Sequence, residues 1–135
     1  MSDKFLTDIE EVAERDGRYK KEAYLFIYDA LQYTVEKLGK TGLPNEQRHI
    51  CGRNLLFGIS EFAMDQLGPM ARSVFSHWGV AETRDFGEIV FNLVESELMS
   101  KTDDDRIEDF IGVYDFAEEF DWKKRRSNFK RLSAE

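Results

Sequence analysis

Residues 20–38 read KKEAYLFIYDALQYTVEKL, and the spacing of their apolar side chains decides the fold class. Tyr24, Ile27, Tyr28, Leu31, Val35 and Leu38 recur at intervals of three and four. That stacks them on one face of an α-helix. Leu25, Phe26 and Tyr33 widen the stripe, so this helix is expected to be buried on much of its circumference. Gly39, Gly42 and Pro44 then end it.

The same period extends outward in both directions. Upstream, Phe5, Ile9, Val12 and Ala13 predict a helix over 3–16, closed by Gly17, since glycine reaches positive φ cheaply. Downstream, KTGLPNEQRH (40–49) is a polar connection to a helix over 50–67, with Leu55, Leu56, Ile59, Phe62, Ala63 and Leu67 inward. Gly58 inside that helix costs ~1 kcal/mol against alanine and points to close helix packing. Gly68-Pro69 breaks the chain, and a fourth helix carries Met70, Ala71, Val74, Phe75 and Trp78 inward before Gly79. Thr83 is the expected N-cap of a fifth helix over 84–99, with Phe86, Ile89, Val90, Leu93, Val94 and Leu98 inward.

The C-terminal quarter changes character. FIGVYDF (110–116) is short, β-branched and aromatic, so it is predicted as a strand. Its partner is expected at Glu97–Lys101 or the residues just after, with Asp103, Asp104 and Asp105 in the hairpin loop. Asp115 and Glu118 form a capping-box pattern that starts a short last helix, bringing Phe116, Phe120 and Trp122 onto the core. The expected architecture is mainly α: five to six helices around one core, with a small C-terminal β-hairpin.

Length and composition fit one domain. The chain has 135 residues, enough to bury a core without disulfides or metals. Its 13% aromatic content argues against disorder despite 34% charged residues. A single cysteine, Cys51, excludes an internal disulfide. The first sixteen residues carry acids throughout and no apolar run of leader length, and no stretch approaches ~18 apolar residues. A cytoplasmic location without membrane contact is therefore expected by elimination.

Charge divides the chain into a globular body, 1–122, and a basic tail, 123–135, expected to be flexible. The tail holds Lys123, Lys124, Arg125, Arg126, Lys130 and Arg131 against the single acid Glu135. Subtracting them leaves 13 basic and 26 acidic residues in the body, a net of −13. Such a body repels nucleic acid and anionic membrane, whereas the tail alone attracts them.

Catalytic and metal chemistry find no support in the spacing. His49 and Cys51 are two apart, which is not a structural zinc pattern. Counting from Asp103, the sixth and twelfth positions of a calcium loop are Glu108 and Tyr114, where glycine and glutamate are needed. No nucleophile elbow, Ser-x-x-Lys or glycine-rich phosphate loop occurs. No cofactor, metal or catalytic residue is therefore expected. Arg48, His49 and His77 remain the one polar cluster that an enzyme could use, and an enzyme is the least favoured class.

Two resemblances follow. Residues 54–116, with a short helix ending at Gly79-Val80, an apolar-seamed helix, LMSK (98–101) and a charged loop before the strand, are similar to a winged helix-turn-helix. Such a fold implies that helix 84–99 enters the DNA major groove. Its outward residues, Arg84, Asp85, Glu88, Asn92, Glu95 and Glu97, include four acids, which oppose phosphate. DNA binding through that helix is not expected. Secondly, RHICG (48–52), FAMDQLGPMA (62–71), HWGV (77–80), DFGEIVFNLVE (85–95), LMSKT (98–102) and DFIGVYDF (109–116) together resemble a family of small bacterial proteins of unknown function. That resemblance implies no activity.

What remains is a non-enzymatic protein-interaction, adaptor or regulatory module whose partner is another protein or a second copy of the chain. Tyr19, Tyr24, Tyr28, Tyr33 and Trp78 either line a groove for a partner helix or belong to the core. The alternative is an RNA- or ribosome-associated factor acting through Lys123–Arg131 with Phe129 interleaved. Against it stands a tail that is solvated, or folded back on the acidic body.

Overall fold

The computed structural model describes residues 3–44, 50–100 and 106–125. The first three helices expected from the sequence are realised to within two residues, whereas the fifth ends at Glu95, four residues earlier than expected. Helix α1 spans Asp3–Asp16, α2 Lys21–Lys37, α3 Gly52–Gln66, α4 Ala71–His77 and α5 Thr83–Glu95. A 3-10 turn, Gly68–Met70, leads into α4, and a second, Ile107–Phe110, precedes the short helices α6 (Phe116–Glu119) and α7 (Trp122–Arg125). No helix is long and apolar enough to cross a membrane among the described residues.

The stripe of α2 is the centre of the packing. Ala23, Tyr24, Phe26, Ile27, Ala30 and Val35 are all buried, facing α1, α3 and α5. Gly58 explains the closeness of α2 and α3. A Cβ there would fall inside contact distance of the buried Thr34 hydroxyl, which donates to the Ala30 carbonyl at 2.8 Å. Gly79 has a similar role. Its φ of +90° ends α4, and a Cβ there would strike the Arg18 carbonyl.

The aromatic excess is spent on the core. Phe75, 1% exposed, has the rings of Phe26, Trp78, Phe86, Phe116 and Phe120 around it with centroids 5.2 to 6.0 Å away. Such edge-on and tilted pairs add ~0.5–1.5 kcal/mol each beyond simple burial.

The β-hairpin is the expectation that fails. There is no strand among the described residues, so the winged-helix likeness lacks its wing. The proposed partner segment begins instead as a turn, with Glu97 at φ 60°. FIGVYDF forms part of a strap, 106–125, laid lengthwise along α3. Phe110 meets Gly52 at the start of α3; a Cβ at Gly52 would lie 3.0 Å from the ring. The Tyr114 hydroxyl donates to the Leu56 carbonyl at 2.7 Å. Ser60 donates to the Glu119 carboxylate at 2.5 Å. Trp122 reaches Gly68, just past the end of the helix.

Physical reasons for the strap are local. Gly112 sits at φ 61°, which breaks any extended run. Backbone groups that a neighbouring strand would pair are met by one hydroxyl: Thr83 Oγ1 donates to the Phe110 carbonyl at 2.6 Å and accepts from the Val113 amide at 3.2 Å. Thr83 is therefore not the N-cap of α5. That position is Glu82, and Asp85 accepts from the amides of Ala81 and Glu82 at 2.8 and 3.1 Å. Asp115 caps α6 as the sequence indicates, accepting from the Glu118 amide at 3.2 Å.

Candidate functional site

Three surfaces carry the residues that the sequence singles out. The first is the outer face of α5, where a DNA-reading helix would need free polar side chains. Its middle is met by the connection between α1 and α2, while Arg84, Glu95 and Glu97 stay exposed. Arg18 grips Asp16 through two nitrogens at 2.9 to 3.2 Å and reaches Glu88 at 3.4 Å. Glu88 also takes Arg84 at 3.5 Å. Tyr19 donates to Asp85 at 2.6 Å, Asn92 to the Tyr24 hydroxyl at 2.9 Å, and Arg15 to Ser96 at 2.9 Å.

The electrostatics agree with a closed network. The Arg18 guanidinium beside Asp16 holds that carboxyl below its ordinary range. Burial, then the bond to Asp85, pushes the Tyr19 hydroxyl up, so it stays a neutral donor. Burial likewise raises Tyr24. Asp85, Glu88 and Asn92 each have a structural partner, and the network fastens the α1–α2 connection to α5.

The second surface is the polar cluster of Arg48, His49 and His77. His77 is exposed at the last position of α4. Arg48 and His49 lie outside the described residues, as do Asp103, Asp104 and Asp105. Cys51 is exposed at the N-cap position of α3. No group of three histidines, cysteines or acids is placed to hold a metal among the described residues.

The five aromatics of the expected groove divide, with Tyr19 and Tyr24 in the core and Tyr28, Tyr33 and Trp78 half-buried. Tyr19 and Tyr24 are buried, and Tyr28 packs on Phe5 with centroids 4.8 Å apart. Trp78 packs on Phe26 and Phe75. Tyr33 bonds Glu61 at 3.2 Å, and burial pushes its hydroxyl up to about 12.

The third surface lies at the C-terminal end of α3. Met70, placed inward by the sequence pattern, is 57% exposed. It belongs to the 3-10 turn rather than to α4, so its direction follows the turn and not the helical period. Trp122 is 37% exposed, with its ring over Gly68, two residues before Met70. Lys123 and Lys124 follow it in α7 and are exposed, as is Arg72 in α4. Asp121 accepts from the amides of both lysines, at 3.1 and 3.4 Å, and so holds α7 in place. Arg125 is the last residue of α7, while Arg126, Lys130 and Arg131 lie outside the described residues. The result is two exposed apolar side chains near one turn, with Lys123, Lys124 and Arg72 as well as the acids Asp65, Glu118 and Asp121 around that end of α3.

Comparisons with known proteins return nothing: no family model, no curated protein and no solved structure matches the chain.

Proposed function

We propose that this protein is a non-enzymatic interaction module that engages another protein through the surface of Met70, Trp122, Lys123 and Lys124. The observation that supports it is the exposure of a tryptophan and a methionine beside these lysines. Tryptophan is enriched among residues that dominate binding energy, and methionine adapts to varied partners. Adjacent cations select for an acidic partner and speed encounter. The bonded Asp85, Glu88 and Asn92 side chains of α5 favour this class over a DNA reader.

Photo-crosslinking tests it. Benzoylphenylalanine placed at Trp122 in the full chain is expected to capture protein, and Lys123→Glu/Lys124→Glu is expected to abolish the adduct. No adduct at position 122 would reject the proposal. An adduct removed by nuclease would establish the RNA- or ribosome-associated alternative instead.

A further inference from the structure

Asp16 is followed by Gly17, and no other aspartate or asparagine in the chain precedes a glycine. That pairing is chemically labile. The Gly17 nitrogen can reach the Asp16 side chain, and glycine offers no Cβ to hinder the approach. When the nitrogen attacks the side-chain carboxyl carbon, an N–C bond forms, and the amide proton leaves with the carboxyl hydroxyl as water. The product is a five-membered succinimide. Water then opens that ring at the former main-chain carbonyl, breaking its C–N bond, and the chain continues through the side chain as isoaspartate. One water leaves and one returns, so no oxidant or reductant is needed.

Glycine is there to end α1. Gly17 has φ 79°, and a Cβ on it would meet nothing within 4 Å. Its positive φ, rather than any close neighbour, calls for glycine. The labile pair is thus a by-product of how the helix stops, and the fold restrains both reacting groups. Asp16 is the last residue of α1, and the Gly17 amide donates to the Ala13 carbonyl at 2.9 Å. Closing the ring turns the Asp16–Gly17 peptide out of its helical setting and breaks that bond.

The carboxylate is held from the other side. Arg18 Nε donates to its two oxygens at 3.2 and 3.0 Å, and Nη2 to Oδ1 at 2.9 Å. The Arg18 main-chain amide donates to Oδ2 at 3.2 Å. A planar guanidinium that meets a carboxylate through two nitrogens fixes its orientation as well as its charge. Arg18 is placed in turn by Glu88 on α5 at 3.4 Å and by the Tyr19 ring, whose centre is 5.1 Å away. Attack needs the neutral carboxyl, because hydroxyl must leave, and Arg18 favours the ionised form.

We infer that Asp16–Gly17 is a latent isoaspartate site and that Arg18 is the residue that keeps it closed. Isoaspartate at this position would lengthen the main chain by one carbon at the α1–α2 connection. It would also take the carboxylate away from Arg18, just where that connection is fastened to α5.

Ageing the full chain at mildly acidic pH and physiological temperature tests this. Isomerisation leaves the mass unchanged. Isoaspartate is therefore counted by labelled methyl transfer from S-adenosylmethionine with an isoaspartate methyltransferase, and located by electron-transfer fragmentation. The reference is the same chain unfolded in guanidinium chloride. The folded wild type is expected to form isoaspartate at Asp16 about a hundredfold more slowly than that reference, as for a site that reacts only after local opening. Arg18→Ala is expected to restore about tenfold of that rate. Arg18→Lys keeps the charge without the fork and should lie between. Asp16→Glu added to Arg18→Ala should give no signal at position 16, since its ring would have six members and closes far more slowly.

A folded wild type that ages as fast as the unfolded chain overturns the inference. So does a folded Arg18→Ala that ages no faster than wild type, or one whose isoaspartate gathers at another residue. Circular dichroism establishes that each variant is folded. If Arg18→Ala does not fold, Arg18→Lys decides: faster ageing at Asp16 supports the inference, and a wild-type rate overturns it.

Discussion

Phe110 and Trp122 meet opposite ends of α3 through the same kind of contact, a ring against a glycine, yet only one of them is shut in. Phe110 is 3% exposed and lies between two glycines, Gly52 and Gly87; a Cβ at Gly87 would come within 2.6 Å of its Cγ. Trp122 has more than a third of its surface in water, and a Cβ at Gly68 would lie a comfortable 3.6 Å from it. The closed end is where the strap is held. The open end leaves the larger ring for something else. A glycine beside an aromatic ring therefore does not mark the core by itself; what decides is how much of the ring is covered on its other faces.

The closed end should be the costliest to disturb. Phe110→Ala is expected to remove about 3–5 kcal/mol of stability, the usual cost of emptying a buried phenylalanine site. Denaturant unfolding followed by far-ultraviolet circular dichroism measures it. A loss under ~1 kcal/mol would mean that the strap is not anchored there. Gly87→Ala approaches the same contact from the other side. The added methyl meets Phe110 Cγ and Cβ at 2.6 and 2.7 Å and Ile107 Cδ1 at 2.9 Å. Ring and strap must both move, which is expected to cost about 1–3 kcal/mol, even though alanine suits a helix better than glycine. An increase in stability would show that Gly87 is not there to admit Phe110.

Between the two ends lies a polar fastening. Ser60 is fully buried and donates to Glu119, a carboxylate only 6% exposed. Ser60→Ala removes that donor from a dry site and is expected to cost about 1–3 kcal/mol. Ser60→Cys, similar in size but a weaker donor, should fall between the two. Equal stability of all three would mean that the strap is held by its aromatic contacts alone.

These features differ in how far they could be read from sequence. Helices α1, α2, α3 and α5 repeat their apolar residues along one face, and each is legible because the signal lies inside the element. Gly17, Gly79 and the Asp115–Glu118 cap are legible for the same reason. FIGVYDF is not. Its β-branched and aromatic residues are equally suited to a strand and to a ridge along a helix, and the deciding partners are distant: Gly52, Leu56, Thr83 and Gly87. Thr83 shows how a local rule loses to a distant need, since its hydroxyl serves the strap while Asp85 binds the amides at the start of α5. Of the candidate interaction surface, the basic half is plain in KKRR (123–126), but the apolar half is not. Met70 reads as core by period, and Trp122 joins it only because the strap runs the whole length of α3.

The smallest stability effect belongs to the open end, and it separates the two kinds of ring most sharply. Trp122→Ala removes a side chain that lies over Gly68 and keeps more than a third of its surface in water. Its expected cost to folding is under about 1 kcal/mol, as for substitutions away from a packed core. The same change is expected to abolish capture of protein by benzoylphenylalanine placed at Met70, whereas Phe110→Ala should lower that capture only as far as it unfolds the chain. Measuring unfolding and crosslinking on both variants gives the test. If Trp122→Ala destabilises as much as Phe110→Ala, the open end is structural after all, and its tryptophan is exposed core rather than a binding anchor.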